Sequence, residues 1–227
     1  MMSFIRNRGV SLATVVLILS VVAQSQASIS YTIAFGALRS FMPPDAPLIL
    51  TVLLAMRVGF VALLVVLWIL NRRHALFRVI VIVNATFTVA LVLHTCSLVG
   101  VLFGMSSHAI DTLLVDVVLM VVSNILIFSI WYWIIDPPGV EEGQRADEPW
   151  AFLFPQRGGG LPNVESWVPR YPDYLFVAFT TSFAFSPTDA LPLTRRAKML
   201  MLLQAAISVV TLTGIAGSAI NILAGKR

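Results

Sequence analysis

The side chains best suited to chemistry gather late in the chain, in Thr180-Thr181-Ser182 and, after a short apolar interval, in Ser186-Pro187-Thr188-Asp189. Hydroxyl and carboxylate oxygens in such a cluster can replace part of a cation's hydration shell, which is the chemistry of an ion filter. The same residue types also build plain turns, in which Ser, Thr and Asp bind backbone donors and Pro presets the backbone angle. Further on, Gln204, Ser208, Thr211, Gly214, Ser218 and Asn221 recur at spacings of four, three, three, four and three. At about 100° per residue they share one face of a helix. A face of small and polar residues can line a water path or let helices approach closely.

Two charges stand apart from this cluster. Arg57 lies deep inside an apolar run, where a cation costs roughly 2.5–3.5 kcal/mol on insertion scales, so it requires a partner. Asp116 is the expected one, forming an intramembrane charge pair if the two runs cross in the same direction. Other chemistry is missing from the sequence. There is no Walker loop, His-Glu-x-x-His, nucleophile elbow or pair of intramembrane aspartates. His74, His94 and His108 lack metal-ligand spacing, and Cys96 is the single cysteine, so neither a disulfide framework nor a thiolate metal site is available. The expectation is a non-enzyme without catalytic residues, metal or cofactor.

Composition decides what positions these groups. Of 227 residues, 58% are hydrophobic and 11% charged, against about a quarter charged in an ordinary soluble domain. A transmembrane helix needs about 20 apolar residues, and five runs supply them: Val10–Ser30, Ala46–Leu70, Val79–Phe103, Thr112–Ile135 and Met199–Leu223. The fold class is therefore an all-α membrane protein of about five transmembrane helices. Arg6 and Arg8 before an apolar stretch, followed by Ser25-Gln26-Ala27, also fit a cleaved secretory signal covering residues 1–27. Trp131-Tyr132-Trp133 at the end of the fourth run reads as an interfacial aromatic belt.

Residues 1–135 form a four-helix region, 136–172 an irregular polar loop, and 173–227 a re-entrant helix, a turn and the last crossing. The loop holds seven of the twelve prolines and Gly158-Gly159-Gly160. Asp173–Phe185 is apolar and aromatic but too short to cross, so it is expected as a re-entrant half-helix. With the N-terminus cytoplasmic, one side collects Arg6, Arg8, Arg72, Arg73, Arg78, Arg145, Arg157, Arg170, Arg195, Arg196 and Lys198, eleven in all. The other side has three, Arg39, Lys226 and Arg227. This asymmetry sets the orientation in a cell inner membrane and explains the formal charge of +4 without nucleic acid.

Two resemblances are carried by specific residues. Trp131-Tyr132-Trp133, Phe152-Leu153-Phe154-Pro155-Gln156, the block Ala184-Phe185-Ser186-Pro187-Thr188-Asp189 and Asn221-Ile222-Leu223 are similar to a family of bacterial multi-spanning integral membrane proteins of undetermined activity. The C-terminal third resembles the pore-loop module of potassium-type channels, in which a helix, a pore helix ending in Thr-Thr, a filter and a second helix follow in order. Thr180-Thr181, and Asp189 with Pro192-Leu193-Thr194, match the flanks of that filter, while Ser182–Thr188 replace its Gly-Tyr-Gly. This resemblance implies an ion channel-like protein with Thr180, Thr181, Ser182, Ser186, Thr188, Asp189, Gln204 and Ser208 about a pore or pocket. Monovalent cations would be its ligands, a homo-oligomer its assembly and the lipid bilayer its surroundings. The alternative is a structural or accessory inner-membrane protein without transport activity.

The charge pair has its own test. Arg57→Leu should destabilise the folded protein, and adding Asp116→Asn should recover part of the loss; strictly additive losses in unfolding measurements would exclude the pairing.

Overall fold

Long runs of Val, Ile and Leu satisfy their backbone groups only by hydrogen bonding within the run, and the helix does this without help from water. Six α-helices result among the residues that the computed structural model describes, which are 9–36, 46–70, 73–104, 110–136, 150–157, 167–184 and 190–224. They are α1 (Gly9–Gly36), α2 (Ala46–Ile69), α3 (Arg73–Gly104), α4 (Ile110–Ile135), α5 (Tyr171–Ala184) and α6 (Arg195–Ala224). Each of the five expected runs falls on one of the long helices, with only Leu70 extending into the turn after α2. Three stretches are long and apolar enough to cross a membrane: Ala75–Val99 in α3, Val115–Ile135 in α4 and Arg195–Gly217 in α6. Shorter apolar stretches, Val15–Ile29 and Val58–Ile69, occupy α1 and α2.

The helix α4 is the centre of the bundle, packing against α1, α5 and α6 and more lightly against α3. Its burial is correspondingly deep, with Val117, Met120, Ile127, Phe128, Ile130, Tyr132 and Trp133 all in the core. By contrast α2 packs on α1 and α3 and leaves Val52, Met56, Val58, Val66 and Trp68 exposed. Near one end Gly214 of α6 meets both neighbours: a Cβ placed there would lie 3.2 Å from Leu98 Cδ2 and 3.6 Å from Val117 Cγ2. At the other end Trp131 Nε1 donates to Thr88 Oγ1 at 2.8 Å, and Tyr132 of α4 reaches Gln204 of α6. These contacts make α3 and α6 antiparallel to α4.

The stretch expected as an irregular polar loop carries a docked strap in its described part. Strand β1 (Phe152–Leu153) pairs antiparallel with β2 (Leu191–Pro192), Phe152 opposite Pro192 and Leu153 opposite Leu191, and a 3-10 turn follows at Pro155–Arg157. Leu193 N donates to Ala151 O at 2.9 Å, extending the pairing. Phe152 and Phe154 are buried, and their rings meet Tyr132, Tyr174 and Trp167 at centroid distances of 5.1–6.5 Å.

The short helix α5 begins as its sequence dictates. Asp173, three residues in, turns its Oδ2 back to accept from Arg170 N at 2.6 Å, half of a capping box. Pro172 lies in the first turn, where a backbone N–H has no helical partner to lose. Fourteen residues give about 21 Å of helix, short of a ~30 Å hydrocarbon core. Helix α6 starts with Thr194 as N-cap, its Oγ1 accepting from Ala197 N at 3.2 Å.

Candidate functional site

The helix α5 distributes its side chains against ordinary expectation. Tyr174, Val177, Ala178, Thr181 and Ser182 face the core, whereas Phe176, Phe179 and Phe183 are exposed. The hydroxyls point inward and the phenylalanines outward, an arrangement that water would penalise and an apolar surrounding would favour.

Gln204 is the centre of the inward cluster. Its Nε2 donates to Ala178 O at 2.7 Å and to Ser182 Oγ at 2.8 Å, and its Oε1 accepts from the Tyr132 hydroxyl. One side chain thereby joins α4, α5 and α6. A turn deeper, Asn124 Nδ2 donates to Ser208 Oγ at 2.8 Å and to Gln204 O at 3.3 Å. Thr181 Oγ1 donates to Val177 O at 2.7 Å, and Thr211 Oγ1 to Ile207 O at 3.0 Å. Such back-bonding to the preceding turn satisfies a hydroxyl without any partner on another helix.

The structure therefore brings together Thr181, Ser182, Gln204 and Ser208, all at most 2% exposed, with Thr180 half-buried at their edge and bonded to Phe176 O and Val177 O. Ser186, Thr188 and Asp189, expected in the same cluster, lie outside the described residues, as do the side chains of Ser218 and Asn221. Asp116 is buried on α4, and the side chain of its expected partner Arg57 lies outside the description. Among the described residues no group of three or more His, Cys, Asp or Glu is arranged to hold a metal.

A second polar centre was not anticipated. Asp136, immediately after α4, is fully buried. Its Oδ1 accepts from the backbone of Ala151 at 2.9 Å and Phe152 at 3.3 Å, and its Oδ2 from Tyr174 OH at 2.6 Å and Arg157 Nη1 at 2.8 Å. The same Arg157 nitrogen donates to Phe152 O at 2.9 Å, and the guanidinium lies over the rings of Trp150 (5.0 Å) and Phe154 (5.7 Å). The side chains of the pair are 0% and 4% exposed. One carboxylate thus fixes the strap and the start of α5 onto the end of α4.

The belt expected at Trp131-Tyr132-Trp133 is corrected by the same geometry. Tyr132 and Trp133 are buried, not interfacial, because Phe152 of the strap covers Tyr132 and Gln204 draws its hydroxyl inward. Sequence reasoning also passed over Asn124 and the role of Tyr174. The available signal was Asp136 itself, a lone carboxylate ending an apolar helix before Pro137-Pro138. On the far side of α4, Ser25 and Ser123 share a hydrogen bond of 2.8 Å, Gln26 Nε2 donates to Phe87 O at 3.1 Å, and Asn84 Nδ2 to Ile127 O at 3.2 Å. Polar joints thus tie α4 to α1 and α3 as well.

Asp136→Asn leaves the Arg157 cation buried without its counter-charge, so unfolding stability should fall by about 3–5 kcal/mol. The double variant Asp136→Leu with Arg157→Met should recover most of that loss; an equal loss in both would show that the pair does not act as a unit.

Comparison of the chain with protein-family models, curated proteins and solved structures gives no match in any of the three.

Proposed function

We propose that this chain is a multi-spanning integral membrane protein with a structural or accessory role and no transport activity of its own. In this reading α1–α4 and α6 make five crossings of a bacterial inner membrane, with the N-terminus and the strap on the cytoplasmic side. The short α5 is a re-entrant packing helix. The observation that carries the proposal is the inward, hydrogen-bonded state of Thr181, Ser182, Gln204 and Ser208. A pore lining must offer its oxygens to water and ions, whereas Ser182, Gln204 and Ser208 are engaged in joining helices and Thr181 is bonded to its own helix. The exposed Phe176, Phe179 and Phe183 give the complementary support, since acyl chains solvate them better than water.

The rival reading, an ion channel-like pore loop with monovalent cations as ligands, draws on the likeness to potassium-type pore modules. It would put half-buried Thr180, with Ser186, Thr188 and Asp189, to use. Liposomes containing the purified protein separate the two. The packing reading predicts no flux of monovalent cations above empty liposomes. It also predicts that Gln204→Leu lowers unfolding stability by about 1–3 kcal/mol for each buried group left unpaired. Wild-type flux that Thr181→Val or Gln204→Leu alters while stability stays unchanged would reverse the assignment.

A further inference from the structure

Among the described residues, one end of the bundle gathers exposed cations. Arg78 near the start of α3, Arg170 ahead of α5, and Arg195, Arg196 and Lys198 in the opening turn of α6 are all exposed. They share this end because α3 and α6 run antiparallel to α4, and because Tyr174, one turn after Arg170, binds Asp136 at the end of α4. None of these five side chains makes a hydrogen bond or ion pair with another described residue. Among the described residues, the carboxylates at this end are already engaged, Asp136 by Arg157 and Tyr174, and Asp173 by the backbone of Arg170. The first turn of α6 holds no acidic residue, so its three cations stand against the positive end of the helix dipole.

The same segments expose apolar groups beside the charges. Leu191, Leu193, Met199 and Leu202 flank the basic residues in sequence, and α5 also exposes Phe176, Phe179 and Phe183. A face that meets only water or a soluble polyanion has no use for such exposed aliphatic area. Phosphate level above acyl chains matches it on both counts.

We propose that Arg195, Arg196 and Lys198, with Arg170, form a binding surface for the headgroups of anionic phospholipids, an inference that rests on the membrane reading above. The cations meet the phosphodiester charge, and Leu191, Leu193, Met199 and Leu202 meet the upper acyl chain. Selectivity between lipids follows from net charge, since a zwitterionic headgroup presents its own cation to the rim.

Quenching of the tryptophans by lipids with brominated acyl chains tests this, as Trp150 and Trp167 belong to the same end. The full chain is reconstituted in phosphatidylcholine containing either brominated phosphatidylcholine or brominated phosphatidylglycerol. At low ionic strength the anionic lipid should be preferred by at least about fivefold. The preference should fall toward parity in high salt and in the triple variant Arg195→Gln, Arg196→Gln, Lys198→Gln. Equal quenching by the two lipids in the wild type, or an undiminished preference in the triple variant, would overturn the proposal. So would loss of the preference to inorganic phosphate at constant ionic strength, which would mark a small-anion site. If the triple variant does not reconstitute, the wild-type salt dependence and Arg170→Gln decide in its place. No quenching by either lipid would instead remove the membrane reading, and this inference with it.

Discussion

A polar group taken out of water must find its partner inside the protein, and the hydrogen bonds of Gln204 meet that requirement for three helices at once. Among helices whose buried surfaces are mostly apolar, apolar contact alone sets neither register nor rotation firmly, because many similar packings exist. The amide does. It accepts from Tyr132, and its donors reach the Ala178 carbonyl and the Ser182 hydroxyl on α5, so a shift of one residue in any of the three helices would strand at least one buried group at a cost of about 1–3 kcal/mol. Asn124 with Ser208, Ser25 with Ser123, and Asn84 with the Ile127 carbonyl apply the same constraint to the other faces of α4.

The carboxylate of Asp136 extends this logic to the segment between α4 and α6. A buried charge pair gives little net stability, since desolvation offsets attraction, but breaking it is costly. Its effect is therefore on uniqueness. With two backbone donors, a tyrosine hydroxyl and a guanidinium all directed at one group, the strap has one seat, and β1 is held where β2 can pair with it. The first turn of α6 is positioned by that pairing, which presents Arg195, Arg196 and Lys198 together at the end of the bundle.

How much of this could be read from the sequence depended on periodicity. The long helices were legible because each apolar run is long enough to declare itself, and the buried face of α6 because Gln204, Ser208 and Thr211 repeat at helical spacing. The helix at Asp173–Phe185 was also legible, and its described residues end at Ala184. Pairing across a loop has no period, so nothing in the spacing of Asp136 and Arg157 announced their contact. Trp131-Tyr132-Trp133 misled for a related reason: whether an aromatic at a helix end faces a headgroup or a core depends on what covers it, and the cover is Phe152, twenty residues on from Tyr132. The hydroxyls of Thr181 and Ser182 were found as a cluster, but their inward direction follows from the tertiary position of Gln204.

The account stands on the hydroxyl face of α5 and α6 being closed to water. Cysteine introduced singly at Ser182 or Ser208, with the exposed native Cys96 replaced by serine, measures this in the reconstituted protein. Both thiols should stay unmodified by a membrane-impermeant charged thiol reagent while the protein is folded and react fully once it is denatured. Rapid modification of either in the folded protein would reveal a water path along the helix face and contradict the account.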